Sequence, residues 1–143
     1  MDMKLESIVL PVADVDRTTA YYEALGWRVD AAERADGLPI VQVTPPGSAC
    51  SVVFGVGLAA GAAGSARGLV LSVADLEAAR AELTARGVEV GEIFHDASGE
   101  ASYAETLARA PGLDPGRRDY ASFASFADPD GNRWQLREVT AQG

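Results

Sequence analysis

The only histidine is the residue of this chain best suited to acid–base chemistry near neutral pH. His95 ends the stretch "VGEIFH", and the acidic residues Asp96, Glu100, Glu105 and Asp119 follow it. Because the ordinary pKa of imidazole lies near neutrality, His95 is a candidate general acid or base. A metal site of one histidine with carboxylates is disfavoured, because the acidic residues are irregularly spaced in a segment that is typical of a loop.

Three other side chains near His95 are candidates for ligand contact. Tyr103 is a second candidate for proton transfer, and Arg117 and Arg118, in "RRDY", form a basic spot in an acidic chain. No serine-nucleophile motif and no cysteine–histidine pairing is recognisable. The one cysteine, Cys50, cannot form an internal disulfide, and its flanks "SACSVVF" are typical of a strand. We interpret Cys50 as a small buried hydrophobic residue.

The segment "DPDGNRWQLRE" (128–138) begins with turn-forming residues and continues as a strand. Alternation along that strand places Gln135 and Arg137 on one face and Trp134 and Leu136 on the other. The Gln135 amide can donate and accept hydrogen bonds, either with a ligand or with neighbouring strands and water. Arg137 is either the charge partner of an anionic ligand or a salt-bridged residue near the rim of a ligand cavity.

An internal repeat organises these residues. Residues 9–29 and 70–90 are identical at nine of 21 positions with a constant offset of 61. In both copies an aspartate precedes an apolar pattern of helical spacing, which predicts an N-cap, and a glycine (Gly26, Gly87) predicts the end of the helix. Residues 44–54 match 128–138 at an offset of 84, mainly through the turn. Each half therefore predicts one strand, one helix and three further strands.

The offset grows between the two matches, so the second half contains an insertion, which we place at 95–119. Glycine, proline and charge dominate there, without a strand period; "SYAETLARA" (102–110) favours one or two helical turns. Long connections in compact domains are often functional, which makes the insertion a hypothetical lid over a ligand site. A Gly/Ala stretch from 57 to 68 is typical of a flexible connector.

Composition narrows the possible partners and the location. A chain of 143 residues fits one domain, and no apolar run reaches the roughly 18 residues of a membrane span. The charged start "MDMKLESIVLPV" leads into a strand and does not resemble a signal peptide, which with the lone cysteine favours a cytoplasmic protein. A net charge of −9 argues against nucleic acid and anionic membranes, because both attract a basic face.

The duplicated βαβββ unit, with "VADVDRTTAYYEALGW" near its start and "DPDGNRW" near its end, resembles the vicinal oxygen chelate superfamily. That superfamily includes glyoxalase I, extradiol dioxygenases and bleomycin-resistance proteins. The resemblance implies an α+β fold in which two βαβββ modules form a cupped mixed sheet around one cavity. We expect a single domain over 1–143, with module 1 at about 4–56, a linker at about 57–67 and module 2 at about 68–140.

In metal-using members, two histidines and one or two glutamates hold one divalent ion. The resemblance places the two histidine positions at Ser7 and Gly68 and the carboxylate of the last strand at Gln135; the repeat places the partner of Gln135 at Ser51. None of these residues is a good ligand for zinc, nickel, iron or manganese, which prefer imidazole, carboxylate or thiolate. We therefore expect no metal and no other cofactor.

Strand parity predicts which residues line the cavity and which face the helices. The lining combines small apolar and hydroxyl groups with one amide and one guanidinium, which suits a small organic molecule with a few polar groups. The predicted ligand-binding residues are Ser7, Val9, Ser51, Val53, Gly68, Val70, Gln135, Arg137, His95, Tyr103, Arg117 and Arg118.

The resemblance leaves two functions open. One is metal-independent binding of a small organic molecule, as in the bleomycin-resistance branch, whose members sequester a drug as homodimers. The other is a glyoxalase-like lyase or isomerase, or another enzyme of the superfamily, that uses loop residues or a metal site of another kind. For the enzyme, His95 and Tyr103 are the candidate catalytic residues.

Overall fold

A computed structural model of the chain describes residues 1–98 and 108–140. Its elements follow in the order β1 (Ser7–Val9), α1 (Val15–Ala24), β2 (Arg28–Glu33), β3 (Pro39–Thr44), β4 (Ser51–Gly55), β5 (Leu69–Val73), α2 (Leu76–Ala85), β6 (Phe94–Asp96), β7 (Arg109–Pro111), β8 (Ser122–Ala127) and β9 (Arg133–Glu138). None of the helices in these ranges is both long enough and apolar enough to cross a membrane.

The chain divides into two compact units. Unit 1 comprises Met1–Ala66 with Asp128–Asn132, and unit 2 comprises Arg67–Ala127 with Arg133–Gly143. Unit 1 contains α1 and a four-stranded sheet in the order β1-β4-β3-β2, and unit 2 contains α2 and a five-stranded sheet in the order β5-β9-β8-β6-β7. Both sheets are mixed, because β1 runs parallel to β4 and β5 runs parallel to β9. The predicted α+β class and the two similar halves are confirmed; the common cavity stays a prediction.

Both helices begin and end where the repeat predicted. Asp14 and Asp75 are the N-caps, and each side chain accepts a hydrogen bond of 3.0 Å from the backbone N–H three residues further on. Gly26 and Gly87 follow the helices, and both have a φ of +89°. Glycine adopts this left-handed conformation without the steric cost that a Cβ brings, so it ends the helix.

The core of unit 1 lies between α1 and one face of its sheet. Tyr22 is fully buried, and its ring lies 4.9 Å from the Trp27 ring and 6.2 Å from the Phe54 ring, measured between centroids. Residues at alternate positions of the strands complete this core because strand side chains alternate between faces. The other buried apolar residues here include Leu10, Val41, Val43 and Val52.

In unit 2 the corresponding core lies against α2. Leu76, in the first turn of α2, is fully buried, and the Phe126 and Trp134 rings stack with centroids 6.3 Å apart. Ala124 and Leu136 pair across β8 and β9 on the same face, and both are buried. Each unit thus covers one face of its sheet with its own helix.

In unit 2 the strand that follows the helix is shorter than predicted. The repeat predicts a strand after this helix, ending in "VGEIFH" (90–95), but residues 88–93 are irregular and only Phe94–Asp96 form β6. The Gly91 N–H donates a single hydrogen bond to the Ser125 carbonyl, and pairing in register with β8 starts only at Phe94. The strand is therefore shorter than predicted, because residues before Phe94 do not form the regular hydrogen-bond pairs with β8 that define a strand.

The insertion contains a strand that the sequence did not predict. Residues Arg109–Pro111 form β7, which pairs antiparallel with β6. The helical turns predicted for 102–110 are therefore wrong at Arg109 and Ala110, whose backbone pairs with Asp96 and His95. The rest of that prediction, and the central part of the lid hypothesis, concern residues that lie outside the described ranges.

The turn Asp128–Asn132 belongs to unit 1, although the strands on either side of it belong to unit 2. Asp128 is buried and accepts a hydrogen bond of 2.9 Å from the Tyr22 hydroxyl. The Asn132 amide donates to the Pro11 carbonyl at 2.8 Å, and its oxygen accepts from the Ala66 N–H at 3.0 Å. The turn residues therefore fix buried contacts inside unit 1.

Part of the connector is held in place, contrary to the flexible chain that its composition predicted. The Gly64 N–H donates to the Pro11 carbonyl at 3.1 Å. Gly64 has a φ of +82°, and a Cβ at this position would lie 1.9 Å from the carbonyl oxygen of Asp130. Only glycine fits this close approach, so the connector and the turn pack backbone to backbone.

Replacing Gly64 with alanine should destabilise the protein strongly. Gly37 is the matched control, because its φ of +81° is almost the same but nothing lies within 4 Å of its added Cβ. We expect G37A to lower the free energy of unfolding by about 1–2 kcal/mol, the cost of a left-handed alanine. G64A should lose a further ~1–3 kcal/mol through overpacking. Urea unfolding measures both variants, and equal losses would show that the close approach contributes nothing.

Candidate functional site

The predicted ligand-binding residues of unit 1 share one face of its sheet. Across the parallel strands β1 and β4, Ser7 pairs in register with Ser51 and Val9 with Val53. Ser51 is buried, and its hydroxyl oxygen lies 2.7 Å from that of Thr44. We call this face, which is opposite to α1, the α1-distal face; it has hydroxyl groups at one end and valines at the other. Cys50, just before β4, was predicted to be buried, but it is partly exposed.

In unit 2 the predicted residues also share a face, the one opposite to α2. Val70 pairs with Gln135, and Ser72 pairs with Arg137. Gln135 is only 3% exposed, and the Arg137 guanidinium carbon lies 4.9 Å from the centroid of the Tyr120 ring. Gly68 directly precedes β5. We call this face the α2-distal face; its members include Val70, Ser72, Phe94, Asp96, Arg109, Pro111, Phe123, Ser125, Gln135 and Arg137.

The strand register corrects the predicted equivalence of Ser51 and Gln135. Val9 and Val70 are equivalent in the repeat, and they pair with Val53 and Gln135 respectively. Val53 therefore holds the position in unit 1 that Gln135 holds in unit 2, two residues away from Ser51. The reason lies in the turns, because three residues separate the turn glycine from β4 but only one separates it from β9.

The residues at the expected metal positions do not fit a divalent ion. Glycine has no side chain to offer at position 68, and the hydroxyl and amide groups of Ser7, Ser51 and Gln135 are weak neutral donors. With Val53 as the counterpart of Gln135, the donor set becomes poorer still. Within the described ranges, no group of three or more His, Cys, Asp or Glu residues is placed to hold a metal ion.

An aromatic pair with a stacked cation lies on the α2-distal face. The Phe94 and Phe123 rings stack with centroids 5.6 Å apart, and the Arg109 guanidinium carbon lies 4.1 Å from the centroid of the Phe94 ring. A pocket of about 400 Å³ opens beside them within unit 2. Its lining residues are Gly91, Glu92, Ile93, Phe94, Arg109, Ala110, Pro111 and Ser125.

Sequence reasoning missed this pocket for a specific reason. It assigned Arg109 to a helical turn, so the guanidinium was not placed beside the ring of Phe94. The signal that could have found β7 is the Pro111-Gly112 dipeptide, which marks a strand end or turn and disfavours helix.

His95 lies on the opposite face from these residues. It pairs in register with Ser122 on the α2 side of the sheet, whereas Gln135 lies on the α2-distal face. Its Nδ1 atom lies 2.9 Å from the Gly112 carbonyl oxygen, so the ring is held by the hairpin backbone. The structure does not bring His95 together with Gln135, and Tyr103 lies outside the described residues.

Arg117 and Arg118 are paired with carboxylates of their own unit. Two nitrogens of Arg117 lie 3.0 Å from the two carboxylate oxygens of Glu138, which is fully buried and also accepts the Leu76 N–H at 2.9 Å. This pairing, helped by the Leu76 hydrogen bond, holds the pKa of Glu138 below its usual value. Arg118 pairs with Asp114 at 2.9 Å. Both arginines therefore have structural partners, and we leave them out of the proposed site.

Comparison with known proteins assigns the chain to a family. The model of the glyoxalase/bleomycin resistance protein/dioxygenase superfamily matches residues 4–136, so the chain belongs to this superfamily. Among solved structures, the chain is similar to TnmS3, an antibiotic binding protein from Streptomyces sp. CB03234, with 26% identity, a TM-score of 0.68 and 96% of each chain covered. A search of the curated proteins gave no match.

Two further structures are similar. A glyoxalase/bleomycin resistance protein from the same Streptomyces has 26% identity and a TM-score of 0.65, with 94% of this chain and 100% of that chain covered. UcmS2 has 23% identity and a TM-score of 0.65, with 97% and 100% covered, and at this identity it shows the shared fold alone.

The Arg117–Glu138 pair should make the stability of the protein depend on pH. Because the folded state lowers the pKa of Glu138, its contribution is present above the ordinary glutamate pKa of about 4.3 and is lost as the pH falls below it. E138Q should unfold at lower urea than wild type at pH 7, and the difference should shrink below about pH 4. E82Q is the control, because Glu82 makes an exposed pair with Arg86 and should change little. A pH-independent difference between E138Q and wild type would contradict this account.

Proposed function

We propose that this protein binds a small organic molecule on its sheet faces, without a metal and without chemical turnover. The observation that carries the proposal is the buried Gln135 amide on the α2-distal face, at the position where metal-using relatives place a carboxylate. An amide donates and accepts hydrogen bonds but is a weak metal ligand, so it suits recognition of a neutral or charged organic group.

The surroundings of Gln135 support binding of an organic molecule. Its cross-strand partner is Ser125, and the next pair along the same two strands is Phe123 with Arg137. This mixture of aromatic surface with a few polar groups is typical of small-molecule sites. The similarity to an antibiotic-binding protein over 96% of the chain points the same way.

The rival function is a glyoxalase-like or other enzyme of the superfamily. It needs an acid or base near the ligand, and the sequence offers His95 and Tyr103 for this role. The position of His95 on the α2 side, with Nδ1 directed to the Gly112 carbonyl, favours the binding function. We therefore favour sequestration over catalysis.

We also infer a cytoplasmic location, because the single cysteine suits a reducing compartment.

Binding without turnover is tested with a panel of small organic compounds that includes aromatic antibiotics. At least one compound should raise the thermal midpoint of unfolding by several degrees, because a ligand at about 100 times its Kd stabilises a protein by ~2.7 kcal/mol. The shift should persist in EDTA, and mass spectrometry should recover the compound unchanged. Q135L, which removes the amide, should reduce the shift.

Three results would count against the proposal. If no compound shifts the midpoint, small-molecule binding is contradicted. If EDTA abolishes the shift, the binding depends on a metal. If the compound is recovered as a chemically altered product, the protein is an enzyme and does not merely sequester its ligand. An H95Q variant then tests whether His95 is the acid or base.

We also propose a two-fold homodimer. Along the edge strand of unit 1 and the residues before it, Met3, Leu5 and Val9 are exposed at 86%, 68% and 49%. Proteins cover such apolar edges, often with a second copy of the chain.

Light scattering should therefore report twice the chain mass of 14.9 kDa at micromolar concentration. L5K should shift the population toward monomer. L38K should not, because Leu38 is an exposed residue in the turn between β2 and β3, away from this edge. A wild-type monomer would refute the dimer.

A further inference from the structure

The pocket in unit 2 has a cation at its wall. The guanidinium of Arg109 stacks on the Phe94 ring at 4.1 Å. A stacked guanidinium keeps its N–H donors in the plane of the fork, so its edge stays open to an oxygen ligand. Within residues 1–98 and 108–140, no carboxylate lies within ion-pair distance of Arg109. Its charge is thus not compensated by the described side chains.

Two acidic residues of the described ranges lie near Arg109, one across the strand pair and one in the pocket lining, and neither forms an ion pair with it. Asp96 is the cross-strand partner of Arg109, but it is only 8% exposed and accepts the Ser98 N–H at 3.1 Å. Glu92 lines the pocket, but its side chain is 94% exposed and pairs with Arg80 at 3.5 Å. The acidic group of the lining is therefore directed outward and already paired.

The remaining wall is apolar with one hydroxyl. Phe94 is 6% exposed and rests on Phe123, and Ile93 and Pro111 add aliphatic surface. The Ser125 hydroxyl oxygen is buried, and in the described part of the chain it has no hydrogen-bond partner. A buried hydroxyl without a partner is costly unless a ligand or water satisfies it.

From these contacts we infer that the pocket binds small aromatic anions, with the ring against the apolar wall of Ile93, Phe94 and Pro111 and a carboxylate on Arg109. This inference rests on the proposed function and adds the charge and ring character of the ligand. A volume of about 400 Å³ accommodates a bicyclic aromatic acid. Arg109 supplies the charge-assisted hydrogen bonds that distinguish the acid from its neutral amide.

The test uses 2-naphthoate and 2-naphthamide, which have the same ring and nearly the same size but differ in charge. Isothermal titration calorimetry on the full-length protein should give an affinity for 2-naphthoate at least about tenfold higher than for 2-naphthamide. R109Q should reduce this preference to less than about threefold, chiefly by weakening 2-naphthoate. R109K keeps the charge without the planar fork and should retain part of the preference.

R86Q is the matched control. It removes the same charge from unit 2, at a guanidinium that pairs with Glu82 on the surface of α2 and does not line the pocket. R86Q should leave the preference for 2-naphthoate unchanged, which separates a local contact from the change in net charge. Circular dichroism of each variant checks that Arg109, an exposed residue, is replaced without loss of fold.

The outcomes separate this inference from the proposed function. Equal affinities for the two compounds, or a preference that survives in R109Q, would overturn the inference and leave small-molecule binding intact. The same holds if the wider panel gives ligands but neither naphthalene compound binds. If no compound of any charge binds, the proposed function fails and the inference fails with it.

Discussion

Asp128 makes the hydrogen bonds that fix the turn before β9, the strand that carries Gln135. Its carboxylate is buried at 5% exposure and accepts hydrogen bonds from the backbone N–H groups of residues 130, 131 and 132, from the Tyr22 hydroxyl and from the Asn132 amide. A carboxylate that satisfies three consecutive N–H groups fixes the turn backbone. This turn leads directly into β9 and so fixes the residue at which that strand begins. Because strand side chains alternate between faces, the start of β9 determines which face presents Gln135.

The two units hold the start of their helices in related ways. In each unit, an N-cap aspartate accepts a hydrogen bond from one free backbone N–H of the first helical turn. A second carboxylate, distant in sequence, accepts another backbone N–H at or just before the start of the helix. Asp130 accepts the Ala13 N–H just before α1 and pairs with Arg17, whereas Glu138 accepts the Leu76 N–H in α2 and pairs with Arg117. The arginines that sequence reasoning assigned to a ligand belong partly to this structural pattern. Charge alone cannot show whether an arginine is paired.

Local signals predicted the fold well because they depend on neighbouring residues. Asp14 and Gly26 specify the limits of α1 by themselves, and their copies do the same in α2. Two predictions that depended on non-local pairing failed. The alignment through the turn glycines could not show that β4 begins two residues later than β9 relative to the turn, so it made Ser51 the equivalent of Gln135. Arg109 was assigned by helix propensity, which pairing with β6 overrode.

Because the whole chain is acidic, a cation in the unit 2 pocket is needed for the protein to bind an anion. With a net charge of −9, the protein repels anions at long range. Exposed charges separated by more than about 8 Å are largely screened at physiological salt, so this repulsion mainly slows encounter. Affinity for an anion must then come from contacts inside the pocket, where a charge-assisted hydrogen bond to Arg109 is stronger than a neutral one. Selectivity would therefore depend on the Arg109–Phe94 contact and not on the overall charge of the protein.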